Sequence, residues 1–215
     1  MKSTRTYQSA LRREQAEATR NRILQTAAEL FAADGYARTT MAGIASAAGV
    51  SAETVQGQGP KAALLIAAIE YAAVGAVGED NVLNLDIGRA LVAIDDPAQA
   101  LDALVAGVVD LNGRVARLHL ALISGANSEP KLREYLAELF VSITAQARRI
   151  LGVYRERGWL RDDVSFDEIV ETMTVLVSVE TYLHVTERDG RSVDHYRRWL
   201  RRMLASTVFA EPQEN

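Results

Sequence analysis

Apolar residues recur at helical spacing along most of the chain. In the first such stretch, Ala16 to Ala33, residues Ile23, Ala27 and Phe31 fall on one face. Spacings of three and four residues are typical of an amphipathic α-helix. Asp34-Gly35 ends the stretch, because glycine readily adopts the left-handed conformation that closes a helix. The pattern therefore predicts a first helix over residues 16–33.

Two short helices separated by a glycine are predicted next. Thr39 and Thr40 carry hydroxyls that can accept hydrogen bonds from the free amides of a following helix, which ends at Gly49. Ser51 is a good N-cap for a third helix, Ala52 to about Gln56. A helix, a glycine turn and a second capped helix form the pattern of a helix-turn-helix motif.

The remainder of the chain is also predicted to be helical. Caps and first-turn prolines place helix starts at Pro60, Asp96-Pro97, about Leu111, Glu129-Pro130, Ser165, and Ser192 or Asp194. The helix from residue 97 is predicted to reach Val108, the next to span Leu111 to Ile123, and the one after Ser165 to reach about Arg188. Residues 79–89 are predicted to be a loop with a short helix.

No stretch alternates at period two for long enough to predict a strand, so the predicted fold class is all-α, with about nine helices. The predicted domains are a three-helix head (residues 1–60), which includes a basic N-terminal arm, and a larger helical body (residues 61–215). A chain of 215 residues can bury a substantial core.

Charge is unevenly distributed between the ends of the chain. The formal net charge is −4, but residues 1–22 hold six Lys/Arg and two Glu, and the remainder sums to −8. A basic arm on an acidic body fits a protein that contacts phosphate at one end only. A solvated terminus explains the charge equally well, so charge alone leaves both interpretations open.

Other classes of protein find little support. There are no cysteines, which excludes disulfides and thiolate metal sites. No apolar stretch is long enough to cross a bilayer, and no secretory signal follows Met1, so a cytoplasmic location with no membrane partner is expected.

Catalysis is not expected either. His119, His184 and His195 are far apart, and no paired acid-base motif lies near them. The glycine-rich segment 57–60 follows a helix rather than the strand that a phosphate-binding loop requires. We therefore expect no enzyme activity, no cofactor and no metal.

The predicted head resembles the tetracycline-repressor (TetR) family of transcriptional regulators. Helix faces, glycine positions and capping residues match in order from Arg20 to Val55. The matching segments are Thr19 to Phe31, Asp34-Gly35-Tyr36, Thr39 to Ala45, and Ala48 to Ser51. The likeness fades in the body.

The resemblance implies a set of DNA-contacting residues. The segment from Ser51 to Gln56 would be the recognition helix in the major groove, where glutamine suits adenine and glutamate accepts from cytosine. Thr40 and Lys61 match positions that contact phosphate in the family. The implied set is Thr39, Thr40, Ser51, Ala52, Glu53, Thr54, Gln56 and Lys61. Ser51 and Thr40 could instead serve only as helix caps.

One segment departs from the family pattern. After Val55 the family has a tyrosine, two variable residues and a phenylalanine before the lysine, whereas here the segment Gln56–Lys61 is one residue shorter and has neither aromatic. Their loss removes roughly 2–5 kcal/mol of packing and contact. Three explanations remain: the glutamines replace the lost contacts, the helix orders only on DNA, or DNA binding is weak or absent.

The resemblance also implies roles for the body. In the family the last two helices form a dimer interface, here about Phe166–Arg188 and Val193–Val208, and some of the candidates must instead be monomer core. The interface candidates are Val175, Val179, Tyr196, Trp199, Leu200 and Met203. A mostly apolar ligand cavity is also implied. Its candidate lining residues are His119, Leu122, Phe140, Met173, Glu180 and Tyr182, although a lone histidine on an apolar helix is more often surface or hydrogen-bonded core.

These features predict a regulator, most simply a repressor, that binds a palindromic operator in double-stranded DNA as a homodimer and is released by a small-molecule effector of unknown identity. The alternative is a helical module that binds a small molecule or a protein and has lost standard DNA binding. The shortened segment after Val55 is the main support for that alternative.

Overall fold

A computed structural model describes residues 3–74, 82–84 and 86–210. These ranges contain ten α-helices and no strand beyond an isolated bridge between Leu160 and Phe209, so the predicted all-α fold class is confirmed. The helices are α1 (Ser3–Arg38), α2 (Met41–Ala48), α3 (Ala52–Gln56), α4 (Lys61–Val74), α5 (Asp86–Val92), α6 (Pro97–Ala126), α7 (Pro130–Glu156), α8 (Phe166–Leu176), α9 (Val179–Leu183) and α10 (Val193–Thr207). A 3₁₀ turn, Val82–Asn84, precedes α5, and a π-helical turn, His184–Arg188, follows α9.

Some sequence predictions lie outside the described residues. Part of the predicted loop at residues 79–89 and Lys2 of the basic arm belong to this group. Within the described part of that loop, α5 supplies the predicted short helix.

The first helix starts earlier than the apolar pattern predicts. α1 begins at Ser3 rather than Ala16, and the residues between 12 and 18 are exposed. The predicted start was wrong because apolar spacing reports only the part of a helix that packs against a core. Neither glycine nor proline occurs before Gly35, where the backbone leaves helical geometry at φ 75° and ψ 175°.

The predicted pair of helices between Pro97 and Ile123 is a single helix. α6 runs without interruption to Ala126, three residues beyond the predicted end at Ile123, and only Asn127–Glu129 separate it from α7. Helix interiors tolerate glycines such as Gly107 and Gly113 when tertiary packing outweighs their cost of about 1 kcal/mol each.

The helix predicted from Ser165 to Arg188 is broken at Ser178. There the backbone is extended, and the Ser178 hydroxyl accepts a hydrogen bond from the Thr181 amide. The buried Asn112 amide donates to the carbonyls of Val177 at 3.0 Å and Ser178 at 3.5 Å. A single helix was the wrong prediction because a side chain 65 residues away satisfies the Val177 carbonyl, which the break deprives of its helical partner.

Contacts divide the chain into two compact units. Unit 1 comprises Met1–Val77 and Arg117–Leu136, and unit 2 comprises Gly78–Ala116 and Ala137–Asn215. In unit 1, α1 packs against α4 and α2, and α2 packs against α3. In unit 2, one apolar cluster draws on α6, α7, α8 and α10. The functional boundary at residue 60 stays a prediction.

Candidate nucleic-acid interface

The turn between α2 and α3 is built by Gly49. Its backbone is left-handed, at φ 64° and ψ 40°. The amides of Gly49 and Val50 donate to carbonyls in the last turn of α2, with the Val50 amide 3.0 Å from the Ala45 carbonyl. These hydrogen bonds satisfy carbonyls in the last turn of α2. The chain can then begin α3 at Ala52, directly after its cap Ser51.

A single buried side chain anchors α3. Val55 is completely buried, while Ser51, Ala52, Glu53, Thr54 and Gln56 are all exposed. The Ser51 hydroxyl accepts from the Thr54 amide at 3.1 Å, as predicted for an N-cap, and lies 2.8 Å from the Thr54 hydroxyl. The helix therefore presents a polar surface that its own core does not use.

The two threonines before α2 differ in their environment. Thr39 is buried, and its hydroxyl donates to the Gly35 carbonyl at 2.8 Å and lies 3.2 Å from the Leu30 carbonyl. Thr40 is exposed, and its hydroxyl accepts from the Gly43 amide at 3.0 Å. Thr39 thus closes the turn after α1, and only Thr40 lies at the surface.

The Lys61 side chain is engaged inside unit 1. Its half-buried ammonium donates to the carbonyl of Tyr36 at 2.7 Å and to that of Thr39 at 2.9 Å, and lies 4.2 Å from the centroid of the Tyr36 ring. Charge-assisted hydrogen bonds and a cation–π contact together hold the start of α4 against the turn after α1. A phosphate would have to compete with both carbonyls for this cation.

The segment that lacks the family aromatics forms a defined turn. The Gln58 amide donates to the Val55 carbonyl and the Gly59 amide to the Gln56 carbonyl, both at 3.0 Å, and Gly59 has a positive φ of 116°. These hydrogen bonds join the end of α3 to the start of α4 through an ordered turn.

The sequence did not reveal a polar link between α1 and this turn. The Arg20 guanidinium donates to Gln58 Oε1 at 2.9 Å, across 38 residues. Arg20 is exposed, as are Arg12, Arg13 and Arg22 on the same helix. No periodic pattern predicts such a pairing, although the unusual Gln58 was a sign that this turn had acquired another contact.

Tyr36 lies against the turn between α6 and α7. A Cβ on Gly125 would lie 2.9 Å from the Tyr36 ring, so only glycine permits this approach. Burial, followed by the nearby carboxylate of Glu129, raises the pKa of Tyr36 above its usual value, and the two side chains share a hydrogen bond. Tyr36 therefore contacts both Lys61 and the α6–α7 turn.

The ligand-cavity candidates fall into three groups. His119 and Leu122 are buried in unit 1, Met173 and Tyr182 are buried in unit 2, and Phe140 and Glu180 are exposed. Their assignment to one cavity stays a prediction.

The residues predicted to form the dimer interface differ in how far they are buried. Tyr196 and Leu200 are fully buried in the core of unit 2 and are not available to a partner. Val175 is 60% exposed. Val179, Trp199 and Met203 are half-buried.

The described residues contain neither a candidate metal cluster nor a candidate membrane span. No group of three or more His, Cys, Asp or Glu side chains in them could hold a metal ion. No helix in the same ranges is both long enough and apolar enough to span a membrane.

One protein-family model matches part of the predicted head. The family model for bacterial regulatory proteins, tetR family, matches residues 23–56, which include α2 and α3. A search of curated proteins found no match.

Solved structures show the same fold over most of the chain. A transcriptional regulator from Saccharomonospora viridis in complex with choline is 22% identical, with 91% of this chain and 100% of that chain covered and a TM-score of 0.69. The SmeT–triclosan complex is 19% identical, with 90% and 93% covered and a TM-score of 0.66. NalD, the secondary repressor of the MexAB-OprM multidrug efflux pump in Pseudomonas aeruginosa, is 18% identical, with 93% and 100% covered and a TM-score of 0.63.

Proposed function

We propose that this chain, whose residues 23–56 form a tetR-family helix-turn-helix head, is a transcriptional repressor in the cytoplasm that binds a palindromic operator as a homodimer and is released by a small molecule. The observation that carries the proposal is the exposed polar surface of α3, which is anchored only through Val55. A short helix presented in this way fits the major groove of B-DNA.

Each exposed side chain of α3 suits a particular base edge. Gln56 can pair with the N6/N7 edge of adenine, Glu53 can accept from the amino group of cytosine, and Ala52 can contact the methyl group of thymine. Ser51 and Thr54 carry hydroxyls that serve as donor or acceptor. One good bidentate contact contributes about 1–3 kcal/mol of discrimination between bases.

Phosphate contacts come from two places in the head. Thr40 is exposed at the start of α2, where free amides and the helix dipole favour an anion. The exposed arginines of α1 add positive charge in the part of the chain that the sequence shows to be basic. Lys61 joins this set only if it exchanges its two carbonyl partners for a phosphate.

The body is proposed to bind the effector and the second copy. Two proteins with this fold are seen with choline and with triclosan, which supports a small-molecule site in this body. The residues that line this site stay predictions, and Val175, Val179, Trp199 and Met203 remain candidates for the interface.

A second candidate is a ligand-binding helical module without standard DNA binding. The specific observation in its favour is the loss of both family aromatics between Val55 and Lys61, where Gln58 instead contacts Arg20.

The test is a selection of bound fragments from genomic DNA, followed by affinity measurements over a range of salt concentrations. We expect a two-fold symmetric sequence and a log Kd that rises linearly with log salt. Gln56→Ala should change the preferred bases, whereas the matched variant Gln99→Ala, on the exposed first turn of α6, should leave them unchanged. Failure to enrich any sequence, with no salt-dependent retention on DNA, would establish the second candidate.

A further inference from the structure

The turn after α3 holds a charged side chain from another helix. Arg20, on α1, donates from Nη1 to Gln58 Oε1 at 2.9 Å, although the two residues are 38 positions apart. Gln58 follows the last residue of α3, Gln56, by two positions and belongs to the turn that leads into α4. The Arg20 guanidinium therefore lies beside the end of the helix that is proposed to enter the major groove.

The partner of Arg20 leaves the charge of the guanidinium uncompensated. Gln58 offers a neutral amide oxygen, and among the described residues no carboxylate pairs with Arg20. Arg20 is exposed, and the contact with Gln58 uses only one of the several N–H donors of a guanidinium. Gln58 thus fixes the direction of this side chain, while its positive charge stays available to an anion.

The lysine of the same segment is engaged elsewhere. Lys61 is half-buried, and its ammonium donates to the Tyr36 and Thr39 carbonyls at 2.7 and 2.9 Å. The side chains of residues 57–60 carry no charge. Arg20 therefore brings to the turn a cation that the turn itself does not present.

A helix inserted in the major groove places this turn near a phosphate. The groove is about 12 Å wide and is bounded on both sides by the phosphate backbone. Groups beside the end of an inserted helix therefore lie close to one backbone. Arginine binds phosphate best through paired N–H donors, which requires a defined orientation of its planar group. Gln58 supplies that orientation before DNA is bound, which lowers the entropy lost on binding.

We propose that Arg20, oriented by Gln58, binds a backbone phosphate beside α3 and takes the place that the family resemblance assigns to Lys61. The proposal rests on the DNA binding of the proposed function and assigns one contact within it. It also separates Arg20 from the general positive charge of α1. Arg22 is exposed on the same helix, but two positions correspond to a rotation of about 200°, so this side chain projects from nearly the opposite side.

The test measures the affinity of the full chain for two DNA duplexes over a range of salt concentrations. One duplex carries the sequence enriched by selection, and the other has the same length and base composition in scrambled order. R20Q should raise the Kd about tenfold or more for both duplexes and reduce the salt slope by about one unit for each bound copy. R22Q removes the same charge from the other side of α1 and should reduce the slope by less. The matched control K131Q, on the exposed first turn of α7 in unit 1, should leave Kd and slope unchanged.

Substitution of Gln58 separates a phosphate contact from a merely structural link. Q58E keeps an acceptor for Arg20 but adds a negative charge, so Tm should be unchanged or higher while the Kd for both duplexes rises about tenfold. Q58A removes the acceptor and keeps the charge of Arg20, so the Kd should rise about threefold with an unchanged salt slope. Combined with R20Q, Q58A should have no further effect, because no oriented arginine is left to lose.

Circular dichroism confirms that each variant is folded and gives its Tm. The proposal is overturned if R20Q reduces the salt slope no more than R22Q or K131Q does, if Q58E binds DNA like the wild type, or if the effects of Q58A and R20Q are additive. It is also overturned if R20Q weakens binding to the enriched duplex alone, because the pair then positions α3 for base recognition. In all these cases the DNA binding of the proposed function stands, whereas a wild type that binds neither duplex overturns both.

Discussion

Replacement of Lys61 by methionine tests whether this lysine stabilises the head. The substitution keeps most of the aliphatic side chain and removes the ammonium that donates to the Tyr36 and Thr39 carbonyls at 2.7 and 2.9 Å. Hydrogen bonds to a charged group contribute about 1.5–3 kcal/mol each. Because Lys61 is only half-buried, water can replace part of this contribution, and we expect a loss of about 2–4 kcal/mol.

The assay combines thermal unfolding with DNA binding. For a chain of this size about 1 kcal/mol shifts Tm by roughly 2–4 °C, so K61M should lower Tm by roughly 5–15 °C. K61R keeps a cation near the Tyr36 ring and should lose less than K61M. The salt dependence of DNA binding, measured on folded protein, should be unchanged by K61M. An unchanged Tm together with a salt slope reduced by about one unit would refute this reasoning and assign Lys61 to a phosphate.

Three further predictions concern stability. Gly49→Ala should destabilise the α2–α3 turn by about 1–2 kcal/mol because φ is 64° there, and an unchanged urea midpoint would contradict this. Tyr154→Phe should change stability by less than about 1 kcal/mol or increase it, because the buried hydroxyl has no hydrogen-bond partner; a larger loss in urea unfolding would reveal an unrecognised partner. Burial raises the pKa of Tyr196 from 10.0 to about 12, so the folded chain keeps this proton where the unfolded chain loses it. Stability should therefore fall as pH rises from about 10 to 12, and less steeply in Tyr196→Phe; identical pH profiles would contradict the shift.

The sequence predicted the helix caps and the glycines at helix ends. Thr40, Ser51, Asp96, Ser165 and Ser192 were predicted as caps, and each accepts a hydrogen bond from an amide three residues ahead. Gly35 and Gly49 were predicted at helix ends, and each has a positive φ. Both features depend on a few neighbouring residues, which is why the short helices of the head were placed correctly.

The sequence did not predict features that depend on residues far apart in the chain. The break at Ser178 depends on Asn112, and the position of the Lys61 ammonium depends on carbonyls more than 20 residues earlier. Periodicity likewise could not separate Tyr196, which lies in the core, from Val175, which is exposed. An apolar side chain at helical spacing faces either the chain's own core or a partner, and only the packed structure distinguishes the two.

The central claim is that α3 enters the major groove, and directed cleavage of DNA from this helix tests it most directly. The natural chain has no cysteine, so Glu53→Cys provides one attachment point for a DNA-cleaving iron chelate, with Glu171→Cys on α8 as the control. The account predicts two clusters of cuts from position 53, related by two-fold symmetry and about one helical turn or a multiple of it apart, and none from position 171. Specific binding without cuts from position 53, or equal cutting from both positions, would contradict the claim.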